Sequence, residues 1–306
     1  MKLAAIDIGS NAIRLQVTKV HFYQGNYNFK RLEYLRFPMR LGKDVFLNNR
    51  INDDNKKRFT ELMQAFSILI KLYEVDDYMA CATSALREAH NGNDLVSAVK
   101  KEIGLKIHII DGNKEADLIN KSLRNFIDQK NYLHIDVGGG STELNIFKKG
   151  EKIAARSFKL GSVRTLEKGY SQSILSQMNK FIALHLSMEK NVLGIGTGGN
   201  INKILELSRI KGSKANLKVT KIQETLDMLE TCSYQDRINL LNLNEDRADV
   251  IVPATKIYLA ALEAARVKEI IVPDAGLKDG ILLYLFEKNL KNGKYQFSPN
   301  NSNLKT

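Results

Sequence analysis

Two short turns in this chain combine glycine with small polar residues, and each follows an apolar segment that ends in an aspartate. The first turn covers residues 9–11 and the second residues 138–142. Backbone amides exposed in such a turn bind phosphate oxygens, and glycine lets the backbone approach the ligand closely. An ordinary hairpin turn is the alternative, and it is favoured for the first turn taken alone. Three successive glycines favour phosphate binding at the second.

Carboxylates accompany both turns. Asp7 and Asp136 stand where a predicted strand meets its turn, and Glu143 follows just across the second turn. Carboxylates beside bound phosphates usually hold a hard divalent cation, because the ion bridges groups that would otherwise repel each other. The alternatives are an aspartate that caps its own turn and a glutamate that is solvated on a strand. Glu115, in the first turn of a predicted helix, either complements the helix dipole, which sequence alone favours, or acts as a general base toward water.

Arginines near these segments suit phosphate oxygens, because a guanidinium forms two parallel hydrogen bonds. Arg14 and Arg87 are the candidates, and a surface salt bridge is the alternative for either one. Residues 194–199 fit G-x-G-x-x-G, but no predicted strand closes the βαβ unit that a dinucleotide site requires. The chain has no P-loop motif and no G-x-S-x-G motif. His134 lies in an apolar strand, which predicts a core or edge residue rather than a ligand.

The elements that must position these residues occur twice in the same order. Residues 7–10 match residues 136–139, residues 82–84 match 196–198, and residues 111–112 match 274–276. This repeat predicts an α/β fold of two duplicated domains with a ligand cleft between them. Two glycine turns that face each other there would hold two phosphates or two parts of one polyphosphate. We expect domains at residues 1–118 and 119–291, a final helix that packs back on the first domain, and a flexible tail at residues 292–306.

Length and composition exclude several classes of protein. The 306 residues suggest two domains at about 100–200 residues each. Two distant cysteines exclude a disulfide framework and a cysteine-rich zinc site. No apolar run approaches the ~20 residues of a membrane span, and Asp7 interrupts the N-terminal apolar stretch too early for a secretory signal. We therefore expect a cytoplasmic protein. The net charge of +12 indicates either a lysine-rich surface, favoured on charge alone, or a polyanionic partner.

Taken together, the motifs resemble those of the exopolyphosphatase / guanosine pentaphosphate phosphohydrolase (Ppx/GppA) family. That family has the actin–Hsp70–sugar kinase fold, built from two ribonuclease H-like domains. The resemblance covers residues 2–290 and is carried mainly by the triple-glycine segment and the run at residues 82–89. The motifs are, in chain order, Asp7-Ile8-Gly9-Ser10-Asn11 with Arg14; Ala82-Thr83-Ser84-Ala85-Leu86-Arg87-Glu88-Ala89; Gly112-Asn113-Lys114-Glu115-Ala116; Asp136-Val137-Gly138-Gly139-Gly140-Ser141-Thr142-Glu143-Leu144; Leu160-Gly161-Ser162-Val163-Arg164; Gly196-Thr197-Gly198-Gly199; Arg247-Ala248-Asp249; and Asp274-Ala275-Gly276-Leu277.

The resemblance implies that water hydrolyses a terminal phosphoanhydride and releases orthophosphate. Glu115 matches the family's catalytic glutamate, and Asp136 and Glu143 match acidic residues near Mg²⁺, with Asp7 as a third candidate ligand. Phosphoryl transfer needs mainly positioning and charge neutralisation, which agrees with this set of residues. A homodimer is a further family expectation. The predicted phosphate-binding residues are Gly9, Ser10, Asn11, Arg14, Thr83, Ser84, Arg87, Gly138, Gly139, Gly140, Ser141, Arg164, Gly198 and Arg247.

This sequence departs from the family pattern at a few positions. Asp117 stands where many members have arginine, and Lys278 replaces another arginine. Longer members carry C-terminal helical domains that grip long polymers, and their absence here favours short chains or pppGpp as substrate. We predict an exopolyphosphatase, with a pppGpp 5′-phosphohydrolase as the alternative. An ATP-dependent kinase of the same fold and a non-catalytic sensor of polyphosphate or an alarmone are rivals of other classes. No nucleic acid and no membrane is expected as a partner.

Overall fold

The computed structural model describes residues 1–208 and 216–293, and its strands form two mixed sheets. The first sheet contains β1 (Lys2–Ile8), β2 (Ala12–Tyr23), β3 (Asn26–Pro38), β4 (Asp77–Ala82) and β5 (Ile107–Ile109). The second contains β6 (Tyr132–Val137), β7 (Thr142–Lys148), β8 (Glu151–Phe158), β9 (Leu193–Thr197), β10 (Asn216–Lys218) and β11 (Glu269–Ile271). The strand orders are β3-β2-β1-β4-β5 and β8-β7-β6-β9-β11-β10.

Both sheets are built on the same plan. Strands β1, β2 and β3 form an antiparallel meander, and β4 and β5 continue the sheet parallel to β1. Strands β6, β7 and β8 repeat the meander, and β9 and β11 continue it parallel to β6. The short β10 adds an antiparallel edge. The predicted fold class, α/β with two duplicated ribonuclease H-like domains of the actin–Hsp70–sugar kinase type, is confirmed.

Helices cover the sheets and fill the space between them. Buried side chains of β1, β6 and β9 form one apolar cluster with helices at residues 112–123 and 277–291, which therefore lie between the two sheets. The other helices pack on the outer faces, around two further cores. The helices are α1 (Leu41–Asn48), α2 (Asp53–Leu72), α3 (Ser84–Glu88), α4 (Gly92–Ile103), α5 (Gly112–Leu123), α6 (Ser162–Lys168), α7 (Gln172–Leu186), α8 (Gly199–Leu207), α9 (Val219–Thr231), α10 (Tyr234–Asn239), α11 (Glu245–Ala248), α12 (Ile251–Ala264) and α13 (Leu277–Lys291).

Helix α5 is the element that carries Glu115. It begins where the side chain of Asp111 accepts a hydrogen bond from the backbone amide of Lys114 at 2.8 Å, as an N-cap residue does. Leu118 and Ile119 are buried one turn further on, so apolar packing fixes the rotation of the helix about its axis. A boundary between residues 118 and 119, where the sequence predicts a division of domains, would split this helix.

The final helix, α13, packs against both β1 and α5. It therefore contacts the first sheet, although the strand that precedes it, β11, belongs to the second. Residues 294–306 of the predicted flexible tail lie outside the described residues. Within residues 1–208 and 216–293, no helix combines the length and the apolar character needed to cross a membrane.

Helices α5 and α13 touch through backbone at Gly280, and we expect a side chain there to be costly. A Cβ atom at this position would overlap the backbone carbonyl of Leu118. Gly280→Ala should therefore lower the free energy of unfolding by about 1–3 kcal/mol, although alanine has a better helix propensity than glycine. Urea unfolding followed by circular dichroism measures this. Gly276→Ala, where the added Cβ has no heavy atom within 4 Å, is the control, and equal stability of the two variants would contradict the prediction.

Candidate active site

A cavity of about 160 Å³ opens between the two sheets, at the ends of β1 and β6. It is lined by both glycine turns, by the start of α5 and by the segments that follow β9 and β11. Predicted site residues from both halves of the chain meet here: Asp7, Gly9, Ser10, Asn11, Arg14, Thr83, Ser84, Glu115, Asp136, Gly138, Gly139, Ser141, Gly198 and Arg247. Four others, Arg87, Gly140, Glu143 and Arg164, do not line it.

The first glycine turn, residues 9–12, closes with a hydrogen bond from the amide of Gly9 to the carbonyl of Ala12 at 3.2 Å. Two other carbonyls of the turn accept hydrogen bonds from the start of α1. The carbonyl of Ser10 accepts from the amide of Gly42 at 2.8 Å, and the carbonyl of Asn11 accepts from the amide of Arg40 at 2.9 Å. In a planar trans peptide, the N–H points opposite to the C=O. The amides of residues 11 and 12 therefore point away from α1, and both residues line the cavity.

The second turn, residues 138–141, repeats this arrangement. The amide of Gly138 donates to the carbonyl of Ser141 at 2.9 Å. The carbonyls of residues 138 and 139 accept from the amides of Ser162 and Val163, each at 2.9 Å, at the start of α6. The amides of residues 139 and 140 therefore point away from α6. Each turn thus presents backbone donors suited to an anion, because a helix start holds its carbonyls in place.

Glycine is required where the two turns meet. A Cβ atom at Gly139 would lie 2.9 Å from Cβ of Ser10, in the opposite turn. A Cβ atom at Gly140 would overlap Ser84 and Phe46. The hydroxyl groups of Ser10 and Ser84 are 2.8 Å apart and tie the first turn to the start of α3. Close backbone approach, rather than turn conformation, explains these two glycines, since neither has a positive φ.

The strand register places a different partner beside each turn aspartate. Asp7 pairs with Arg14 across β1 and β2, and Asp136 pairs with Glu143 across β6 and β7. The positions are equivalent, but the charges are opposite. Arg14 lies 2.8 Å from Asp7 and forms an ion pair. The predicted metal ligand Asp7 is therefore neutralised by a guanidinium, whereas Asp136 faces a second carboxylate.

Burial and mutual repulsion raise the pKa values of the carboxyl groups on the second sheet. The pKa of Glu143 rises to about 7, first because of burial and then because of the charge of Asp136. The hydroxyl of Ser157 donates to Glu143 at 2.8 Å and opposes this shift. Burial also raises the pKa of Asp136, against a hydrogen bond from Thr197 at 2.7 Å. The pair therefore favours a bound positive charge.

Glu115 is 8% exposed and lies at the cavity wall. Among the residues that the structure describes, its Oε2 atom has no hydrogen-bond partner, and the guanidinium of Arg87 lies 3.6 Å away. Burial, followed by the charge of Glu143, raises the pKa of Glu115 well above its ordinary value, while Arg87 lowers it. A buried carboxylate with an unpartnered oxygen and a raised pKa is suited to accept a proton from water.

Guanidinium groups also line the cavity. Arg14 and Arg36 are direct neighbours across β2 and β3, and Arg36 is ion-paired with Asp246 at 2.5 Å. Arg247 donates to the carbonyl of Gly199 at 2.9 Å, and no carboxylate of the described part of the chain lies within 4 Å of its guanidinium. Burial, then the charges of Arg36 and Arg14, lower the pKa of Arg247 to about 10. An anionic ligand would relieve this repulsion.

Arg164, a predicted phosphate-binding residue, does not line the cavity. Its guanidinium stacks over the ring of Phe46 at 4.0 Å, donates to the carbonyl of Gly140 at 2.7 Å and pairs with Glu88 at 2.6 Å. It therefore supports the second turn from outside the cavity. Arg87 similarly donates to the carbonyl of Ile110 at 2.6 Å and acts on Glu115 by its charge.

Tyr34 and Arg36 line the cavity and are among the lining residues that sequence reasoning did not name as site residues. They stand two apart on β3, so their side chains share one face of the sheet. The same face carries Arg14, because Arg36 is its cross-strand neighbour. The register of β3 with β2 cannot be read from the sequence, and register decides which residues reach the cavity.

Asp136 at the cavity wall and its cross-strand neighbour Glu143 offer the kind of oxygen ligands that a magnesium ion would need. No group of three or more histidine, cysteine, aspartate or glutamate residues in the described ranges is arranged as a metal site. Mg²⁺ usually binds one or two carboxylates and completes its shell with water and substrate phosphates. Asp136 and Glu143 are cross-strand neighbours with raised pKa values, and a cation would offset their repulsion.

Comparison with known proteins agrees with this geometry. A putative exopolyphosphatase of Haemophilus influenzae is 24% identical over 304 residues, which cover 95% of this chain and 93% of that protein. A guanosine-5′-triphosphate,3′-diphosphate pyrophosphatase of Aeromonas salmonicida is 24% identical over 299 residues. Those residues are 94% of this chain, which spans only 60% of that relative's length.

Solved structures share the fold. An exopolyphosphatase from Cytophaga hutchinsonii superimposes with a TM-score of 0.83 at 22% identity, and a Ppx/GppA family member from Aquifex aeolicus with a TM-score of 0.74 at 24% identity. Each comparison covers 94% of this chain and 98% of the other. The sequence pattern of the Ppx/GppA phosphatase family matches residues 21–289, so this chain belongs to that family.

Proposed function

We propose that this protein hydrolyses the terminal phosphoanhydride bond of inorganic polyphosphate and releases orthophosphate. The observation that carries the proposal is the buried Glu115 carboxylate, whose unpartnered oxygen stands at the wall of a cavity lined by backbone amides and guanidiniums. Donors of this kind bind phosphate groups, and a carboxylate placed among them can activate water. The Haemophilus influenzae relative, named a putative exopolyphosphatase, supports the same reaction.

In this reaction, the amides of the two glycine turns bind oxygens of the terminal phosphate, and the guanidiniums of Arg14 and Arg247 bind the phosphates behind it. Glu115 accepts a proton from water as the water oxygen forms a bond to the terminal phosphorus. The bond from that phosphorus to the bridging oxygen breaks, and the electron pair stays on the shortened chain. The fixed donors stabilise the charge that develops on the equatorial oxygens.

We also propose Mg²⁺ as the cofactor, held by Asp136 and Glu143 together with substrate oxygens. The ion would neutralise charge on the transferred phosphoryl group. The support is the raised pKa of both carboxyl groups, since a cation restores their ionised form. A homodimeric assembly remains a prediction from the family resemblance and a cytoplasmic location one from the composition, and the hydrolytic proposal depends on neither.

The size of the cavity favours polyphosphate over the nucleotide pppGpp. Its volume of about 160 Å³ is below the roughly 300–1,000 Å³ typical of pockets that enclose drug-sized ligands. Its walls are mainly polar, and Tyr34 is the one aromatic residue among those that line it. Phosphate groups fit this space, whereas a nucleoside would stay outside. The Aeromonas salmonicida relative is named for a guanosine nucleotide, so pppGpp is the substrate to compare.

Phosphate release from tripolyphosphate, longer polyphosphate and pppGpp, measured side by side, tests the proposal. We expect the polyphosphates to have the higher kcat/KM. Glu115→Gln keeps the shape of the side chain and should lower kcat by about 100- to 10,000-fold while substrate binding persists. Asp117→Asn, which alters an exposed carboxylate on the same helix, should leave the rate near that of the unchanged protein. Full activity of Glu115→Gln would remove Glu115 as the base.

The pH dependence of kcat should respond to Arg87. Glu115 must be ionised to accept a proton, so kcat falls as the pH drops through its pKa. Arg87 lowers that pKa, and Arg87→Ala should therefore move the acidic limb of the kcat profile to higher pH. Arg87→Lys keeps the positive charge and should leave the limb near its original position. An acidic limb that stays in place in Arg87→Ala would contradict the assignment.

Removal of divalent cations should stop the reaction. EDTA is expected to reduce phosphate release to the background rate, and excess Mg²⁺ to restore it. Without the ion, the buried carboxylates and the substrate phosphates have no neutralising charge. The assay is the same phosphate-release measurement, with thermal unfolding as a check that the chelator leaves the fold intact. Unchanged turnover in EDTA would exclude the proposed role of the ion.

A further inference from the structure

A chain of buried polar side chains runs through the middle of the second sheet, beneath the cavity. Nδ2 of Asn145 lies 2.9 Å from Nδ1 of His134, and Nε2 of His134 lies 2.9 Å from Oγ1 of Thr197. Oγ1 of Thr197 lies 2.7 Å from Oδ2 of Asp136. The register explains the contacts, since His134 stands opposite Asn145 on β7 and Asp136 stands opposite Thr197 on β9.

The protons in this chain have only one consistent arrangement when Asp136 is ionised. A carboxylate only accepts, so the Thr197 hydroxyl must donate to it. Thr197 can then only accept from His134, which places the proton of the imidazole on Nε2. Nδ1 is therefore free to accept from the amide of Asn145. With Nε2 donating and Nδ1 accepting, the imidazole carries a single proton in this arrangement.

Such a chain is costly unless it serves a purpose. His134, Asn145 and Thr197 are all 0% exposed, and a buried polar group destabilises a fold when it lacks its hydrogen bonds. Apolar residues fill the other face of the same strands. Thr197 is also fixed through its backbone, because Tyr258 donates to its carbonyl and accepts from the amide of Val137.

We propose that His134, Asn145 and Thr197 are positioning residues, whose directed chain of hydrogen bonds holds Oδ2 of Asp136 and leaves its Oδ1 for a ligand in the cavity. Oδ1 of Asp136 lies beside Gly198, which lines the cavity. A Cβ atom added at Gly198 would lie 3.0 Å from this oxygen. The nature of the ligand, a cation with substrate phosphates, rests on the proposed function. The direction of the hydrogen bonds from Asn145 to Asp136 does not rest on the proposed function.

The orientation is tested first without any activity. Long-range ¹H–¹⁵N spectra report the tautomer of each imidazole, and His134→Gln identifies the signals of His134 among the five histidines. We expect the ring to carry its proton on Nε2. A proton on Nδ1 instead would overturn the proposal.

The effect on the reaction is tested with matched variants. Thr197→Val keeps the volume and loses the hydroxyl, whereas Thr197→Ser keeps the hydroxyl. Loss of a hydrogen-bond partner to a ligating group typically costs about 10- to 100-fold, so Thr197→Val should lose that much in kcat with KM for tripolyphosphate nearly unchanged. The kcat of Thr197→Ser should stay within a fewfold of that of the unchanged protein. The kcat of His134→Gln, which retains a hydrogen-bond donor toward Thr197, should be higher than that of His134→Leu.

Thermal unfolding separates positioning from stability. Equal kcat values for Thr197→Val and Thr197→Ser, or losses that follow unfolding temperature alone, would overturn the positioning role. If the unchanged protein released no phosphate from any substrate, the proposed function would fail, and the imidazole spectra would still decide the direction of the chain.

Discussion

Asp136, Glu143 and Glu115 share a buried space in which their negative charges repel one another. Burial removes the water that would screen them, so each carboxyl group resists ionisation until positive charge is supplied. Arg87 supplies part of it at 3.6 Å from Glu115. The proposed cation would supply more, and the anionic substrate is drawn to the guanidiniums opposite. The cavity therefore combines carboxyl groups that favour a bound cation with guanidiniums that favour a bound anion.

The two halves share one backbone plan, and they differ in charge at one equivalent position beside the glycine turn. In the first half, the residue opposite the turn aspartate is Arg14, and the pair is neutral. In the second half it is Glu143, and the pair carries two like charges. The aspartate of the first turn is therefore neutralised by a side chain, while the carboxyl pair beside the second turn is not. The same backbone geometry, with carbonyls held by a following helix, serves both turns.

Helix α5 connects the two halves mechanically. It lies between the sheets with α13, and the two helices meet at Gly280 without an intervening side chain. Glu115 is thus fixed by packing on both sides rather than by a loop. The buried chain from Asn145 to Asp136 plays the corresponding part in the second sheet, and Asn120 of α5 reaches it through a 3.3 Å hydrogen bond to Asn145. Glu115 and Asp136 are therefore placed by one connected interior.

The sequence by itself determined the duplicated plan and the two glycine turns, because these depend on local patterns of apolar runs and turn residues, whereas Glu115 was indicated by the family resemblance. It could not determine that Arg36 and Tyr34 reach the cavity or that His134 joins a chain to Asp136, since both depend on strand register. Nor could it show that Arg164 turns outward to Phe46 and Glu88, or that Asp7 pairs with Arg14. A side chain's partner is decided by which elements pack together, and only the tertiary structure brings residues so distant in the chain to one place.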